Sequence, residues 1–238
     1  MLLSAIHQPN FLPWMGYFSK IASVDTFIFF DSVALSNGKT WTSRCQILVN
    51  GQVHWLTLPV LRKGLSGQRI CEVELLNFNQ NRRKTLKILR HAYGRAAYFD
   101  AIFPFLEQFE KENCTHLADF NCHFIESVSR ELGLTTQFIR SSSKPELMES
   151  SDLKTDYIVQ TCVAFDIKNY VSGRGGSLHF LEKEKFADAG ITIDFQGFTP
   201  KNYLQLNTSE FMSGLSIIDV LMNCGWQKTR EMLIEMGQ

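Results

Sequence analysis

Apolar positions along this chain follow two patterns, short unbroken runs of strand length and longer stretches with apolar residues at helical spacing. The first run, Leu2-Leu3-Ser4-Ala5-Ile6, predicts a strand that opens into a polar and aromatic loop, His7 to Gly16, and then a helix from about Tyr17 to Ser23. A second run, Thr26 to Phe30, ends at Asp31 and suits a strand covered on both faces, as in a parallel sheet. Strand, helix and buried strand in that order predict the first β-α-β unit of a doubly wound fold. Cys45 to Val49 and His54 to Leu58, separated by Asn50-Gly51, predict a hairpin. After a basic loop of Arg62, Lys63, Gly64 and Gly67, Ile70 to Leu76 predicts a further strand. Helices are predicted at Arg82 to Tyr93, Tyr98 to Glu112 and Leu117 to Leu132, the last stopped by Gly133, with Leu134 to Arg140 as a returning strand.

A second β-α-β pattern closes the chain. It comprises helix Leu153 to Phe165, strand Asn169 to Val171, a glycine-rich turn Ser172 to Ser177, helix Leu178 to Ala189 and strand Thr192 to Phe195, before a last helix core Ser216 to Cys224. The expected architecture is one α/β domain over residues 1–238, with a Rossmann-like, mostly parallel sheet, an inserted β-hairpin and a helical part near residues 82–133.

Composition narrows the function classes. Lys plus Arg and Asp plus Glu both number 24, so no excess positive field argues for long nucleic acid, although a local basic pocket could still hold a phosphate. No apolar run approaches the roughly eighteen residues of a spanning helix, and Met1 to Gln8 lacks a basic n-region, so the expectation is a cytosolic, cytoplasmic protein without a membrane span. The six cysteines are scattered without a C-x-x-C pair, which predicts small buried side chains rather than disulfides. Cys114, His116, Cys122 and His123 lie close in sequence, but neighbouring helical positions point about 100° apart, and no metal site is expected.

Four places could carry chemistry. His7 and Gln8 leave the first strand at its carboxyl end, where ligands bind in open α/β sheets, and Asp31 ends the second strand on the same edge. Pro9 and Pro13 stiffen the loop between, Asn10 and Trp14 sit on it, and Gly16 lets the helix begin close against whatever the loop holds, with Tyr17 next. His7 is suited to general base work or to a hydrogen bond with a phosphate oxygen; the alternative is a satisfied core histidine. The turn Ser172-Gly173-Arg174-Gly175-Gly176-Ser177, between strand and helix, is placed to cradle an anion, or is simply tight. Trp41 and Arg44, entering the hairpin, offer a stacking face and a cation, or ordinary half-exposed sheet residues. Late in the chain Tyr203, Gln205, Ser216, Asp219 and Asn223 form a polar group that capping and surface solvation explain at least as well as a site.

With those residues placed, the chain resembles the WbqC-like family nearly end to end. The likeness is carried by Gln8 to Phe18, Phe27 to Val33 with Trp41 and Arg44, Trp55-Leu56-Thr57-Leu58-Pro59-Val60, Tyr170-Val171-Ser172-Gly173 with Gly175, Ser216-Ile217-Ile218-Asp219, and Asn223-Cys224-Gly225. It departs from the expected pattern with Phe11 where tyrosine is common, Ser32 after Asp31 where a second acid is common, and Cys45 after Arg44 where asparagine is common. The order of parts is also similar to the nucleotidyltransferase superfamily, although its histidine pair before the helix is missing.

The resemblance implies a glycine or acyl transferase acting on amino sugars in surface-polysaccharide biosynthesis. The expected reaction is acylation or aminoacylation of the amine of a nucleotide-linked amino sugar, with His7 or Asp31 as base or orienting group. Gln8, Asn10, Arg44, Arg174 and the Ser172, Gly173, Gly175, Gly176 turn would hold the substrate's polar groups, with Trp14, Tyr17 and Trp41 shaping the sugar or base pocket. Activation by ATP fits the layout analogy and would bring Mg²⁺. The partners expected are thus a small-molecule nucleotide sugar and an acyl donor. The rival readings are a non-enzymatic nucleotide-sugar or partner-binding protein, and a plain nucleotidyltransferase.

Overall fold

A computed structural model describes residues 1–62, 67–109, 114–150, 154–175 and 181–236. Five short strands make a wholly parallel sheet: β1 (Ser4–His7), β2 (Thr26–Phe29), β5 (Gln137–Arg140), β6 (Asn169–Ser172) and β7 (Thr192–Phe195), in the spatial order β5-β2-β1-β6-β7. β3 (Arg44–Val49) and β4 (Gln52–Thr57) form a separate antiparallel hairpin whose turn holds Asn50 at φ 49° and Gly51 at φ 78°. That paired left-handed geometry is what an Asn-Gly turn supplies cheaply. The helices are α1 (Met15–Ala22), α2 (Phe78–Tyr93), α3 (Phe99–Gln108), α4 (Leu117–Glu131), α5 (Pro145–Glu149), α6 (Lys154–Ala164), α7 (Lys183–Asp188) and α8 (Ile217–Met236).

Successive strand residues face opposite sides, and both sides are apolar. Ala5, Phe27, Phe29 and Val171 join a large cluster with α1, α4 and α8, which continues without a break into α2 and α3. Ile6, Ile28 and Tyr170 pack the other face with Ile158, Cys162 and Phe186 of α6 and α7. This is the three-layered Rossmann-like α/β arrangement expected from the continuous apolar runs.

Some expected elements differ. Ile70 to Leu76 is not a strand: a 3₁₀ turn covers Ile70–Glu72, and only isolated bridges, Val60 with Leu75 and Glu74 with His116, follow. Its apolar residues are buried by the loop's contacts rather than by sheet pairing, a distinction that a short apolar run does not encode. The last helix runs on past Cys224 to Met236, broken at Gly225. There φ is 74°, and a Cβ would meet the Tyr98 ring at 2.6 Å, so only glycine lets the two approach. Lys63 and Gly64 of the basic loop, Glu112 and Leu153 at predicted helix ends, and Gly176, Ser177 and Leu178 lie outside the described residues. No helix among the described residues is long and apolar enough to cross a membrane.

Candidate functional site

β1 feeds β2 on one side, and the chain later returns to lay β6 against β1's other side. The connection sense reverses between β1 and β6, which makes their carboxyl ends the switch point where open α/β sheets leave a crevice. The register pairs Ser4 with Tyr170 and Ala5 with Val171. Continued by two residues, that register sets His7 opposite Gly173, and Lys20 lies near both.

The loop from β1 to α1 is fixed from three directions. Phe11 N–H donates to Trp41 O at 3.0 Å, Ile217 N–H to Pro13 O at 2.7 Å, and the buried Asn121 amide donates to both Pro9 O and Thr42 O at 2.8 Å. Sequence reasoning passed over Asn121, although a polar residue on the apolar side of α4 is a signal. Tyr17 is buried, its hydroxyl donating to Gln8 O at 3.0 Å and its ring meeting His7 edge-on at 4.8 Å. Asn10 is buried and Gln8 half-buried. Trp14 explains Gly16: a Cβ there would lie 2.5 Å from the indole, which also meets Phe198 edge-on at 4.9 Å. The glycine therefore makes room for Trp14, not for a ligand.

His7 Nδ1 lies 3.0 Å from Gln8 O, and a carbonyl only accepts, so Nδ1 carries the proton and Nε2 is left as the acceptor. Burial, reinforced by neighbouring Lys20, lowers the His7 pKa to about 3, keeping the imidazole neutral at physiological pH. Lys20 is the residue that sequence reasoning missed. It is 5% exposed, burial pushes its pKa down to about 8, and its Nζ comes within 3.1 Å of where a Cβ on Gly173 would stand. Helical side chains tilt toward the N-terminus, so the lysine stem climbs α1 toward the sheet's carboxyl edge. No salt bridge to Lys20 forms among the described residues. A signal was present: Tyr17, Lys20 and Ile21 share one helix face, and the other two are core residues.

Asp31 is on the same edge but turned to β5. Its carboxylate accepts from Arg140 Nε at 2.6 Å, Ser142 N at 2.9 Å, Ser142 Oγ at 2.8 Å and Ser141 Oγ at 3.2 Å, and it is fully buried. The structure thus does not bring Asp31 to His7. Ser172 is buried, its carbonyl accepting from Gln196 N at 2.8 Å; Arg174 and Gly175 are exposed. Gly176 lies outside the described residues.

Trp41 and Arg44 belong to a second neighbourhood beside the hairpin, tied to the loop through Phe11 and Asn121. The Arg44 guanidinium lies 3.8 Å over the Trp55 ring, and Trp41 meets Trp55 at 5.0 Å. Arg44, Lys39 and Arg62 line a cleft of about 320 Å³ with Trp55, Pro59 and Val60. No acidic residue lines it among the described ones, and Arg44 Nε is buried without a hydrogen-bond partner.

The profile of the WbqC-like protein family matches residues 8–231. The chain belongs to the WbqC-like family. A Mycobacterium tuberculosis protein, Rv1507c, itself described as uncharacterized, is 30% identical over 225 residues, covering 93% of each chain. No solved structure matches. In this WbqC-like protein the three departures from the expected pattern all sit in packed interior. Phe11 lies against Phe120 at 6.0 Å, and Cys45 is buried in the main cluster. Ser32 is buried, its Oγ 2.8 Å from Ser141 Oγ and accepting from Tyr157 OH at 2.8 Å.

The late polar group of the WbqC-like chain is also internal, not the solvated face that capping suggested. Asp219 is buried and accepts from Tyr203 OH at 2.7 Å, Tyr93 OH at 3.0 Å and Gln205 Nε2 at 3.1 Å, while burial raises its pKa. The network binds α2, α8 and the 203–205 segment together. Of the Cys and His residues that lie close in sequence, Cys122 is buried and His123 exposed, and no three potential ligands cluster among the described residues.

Proposed function

We propose that this protein is a transferase that acylates or aminoacylates the amine of a nucleotide-linked amino sugar for surface-polysaccharide biosynthesis. The observation that carries the reading is the placement of His7, Lys20 and Gly173 near one another at the carboxyl ends of β1 and β6, the switch point where α/β folds hold nucleotides. The neutral His7 offers Nε2 as an acceptor for an amine N–H, which orients the nucleophile without charging the site. A pKa of about 3 suits orientation better than strong base catalysis. Arg44 and the indoles beside it supply a cationic, aromatic surface suited to a sugar or base. Asp31 supports the edge rather than the reaction, since its oxygens are already engaged.

The test is incubation with nucleotide-linked amino sugars and activated acyl or aminoacyl donors, with amide product read by mass spectrometry. His7→Gln is expected to cut turnover at least tenfold while sugar binding persists. Full activity in that variant, or no product from any donor alongside clear sugar binding, overturns the reading. The latter favours a binding protein without turnover, a reading for which the weak basicity of His7 speaks.

A further inference from the structure

Lys20 is buried and pairs with no carboxylate among the described residues. A buried ammonium without a carboxylate partner is costly, and folded proteins keep one only where something offsets it. Asp31, a buried acid on the same edge, is committed to Arg140, Ser141 and Ser142. The hydroxyl of Ser19, one residue before, is taken by the Gln196 amide at 3.2 Å. His7 is neutral and adds no negative charge. Burial has displaced the Lys20 pKa toward neutrality, as expected of a cation waiting for a counter-charge.

We infer that Lys20 is the counter-cation for an oxyanion group of the ligand, seated between His7 and the Gly173 end of β6. The geometry supplies the rest of the seat. The lysine head lies close against the Gly173 backbone, since a Cβ there would stand 3.1 Å from Nζ, closer than ordinary contact allows. Arg174 and Gly175, which follow in the chain, are exposed. His7, with Nδ1–H committed to Gln8 O, offers Nε2 to a protonated oxygen or an amine of the same ligand. The inference rests on the transferase reading only for the identity of the oxyanion: the phosphoryl group of the nucleotide-linked sugar or the carboxylate of the acyl donor.

The experiment pairs stability with binding. Thermal shifts of the full chain are recorded with inorganic phosphate and pyrophosphate in one arm and with glycine and acetate in the other, at constant ionic strength. Wild type is expected to gain stability in one arm, which names the source. Lys20→Met, which keeps the stem and removes the charge, is expected to melt higher than wild type without additive and to lose the additive shift. Gly173→Ala is expected to weaken the shift at least tenfold in midpoint concentration while the lysine remains. A Lys20→Met chain that melts lower and keeps the shift, or a wild type silent in both arms, overturns the inference. Should Lys20→Met fail to fold, Lys20 is structural and the inference is likewise overturned. Transfer activity assayed on the same Lys20→Met chain separates the two proposals: unchanged turnover and KM reject the oxyanion seat and leave the transferase reading standing.

Discussion

Two ends of one sheet edge treat charge in opposite ways. At the β2 and β5 ends, Asp31 is buried with a guanidinium, two hydroxyls and a backbone N–H around it, and Arg140 passes a second bond to Asp119 at 2.5 Å. At the β1 and β6 ends, Lys20 is almost as buried and has no counter-charge among the described residues, and His7 beside it is held neutral. Saturation marks a structural site, because a carboxylate with filled lone pairs has nothing left to offer a ligand. An uncompensated cation marks the opposite, a place whose energetics are completed by something outside the chain.

The comparison breaks most sharply at Asp31. Asp31→Ala is expected to cost about 3–5 kcal/mol in urea denaturation, since it takes the shared acceptor from Arg140 Nε, Ser141 Oγ, Ser142 N–H and Ser142 Oγ at once even though Asp119 still pairs Arg140, while any residual folded protein keeps the anion response. A mild loss of stability would show that the saturated end is not structural. Asn121→Leu comes next, at about 2–4 kcal/mol, because it leaves Pro9 O and Thr42 O buried without a donor. It is also expected to weaken ligand binding, as the His7 loop loses its clamp.

The third expectation concerns pH. Unfolded His7 takes up a proton near its ordinary pKa of 6.5, whereas the native ring refuses one until about 3. Its contribution is therefore fully present above about pH 6.5 and declines as the pH falls, by up to about 1.4 kcal/mol per unit, until about pH 3. Urea midpoints of His7→Gln should lose that slope; parallel curves for variant and wild type would contradict the buried, neutral ring. The smallest effect is Ser142→Ala, about 1 kcal/mol, since the Ser142 backbone N–H and Arg140 still hold Asp31. A loss as large as that of Asp31→Ala would mean that the network is not redundant.

Most of the sheet was legible because its strands are unbroken apolar runs bounded by polar or glycine residues, and a short run of that kind fits best where both faces of a strand are covered. The hairpin was legible through Asn50-Gly51. Ile70 to Leu76 was misread because burial by a loop and burial in a sheet leave the same residues in sequence. The edge of the sheet was legible, but not which side chains use it. Asp31 drew attention by position, and only the convergence of Arg140, Ser141 and Ser142, more than a hundred residues later, reveals its commitment. Lys20 escaped because a lysine on a short helix reads as solvated, and its burial depends on β6 arriving from far along the chain.

That dependence fixes when the site can exist. β1 is the central strand and leaves the ribosome first, but its β6 flank begins at Asn169, and Pro13 is fastened by Ile217. Chains grow from the N-terminus, so β1 can pair with β2 early, but its other edge stays open until residue 169 has been made. Ligand capture at His7 and Lys20 thus waits until Ile217 has been made, and a product stopped before β6 would have the opening loop without the means to hold anything in it.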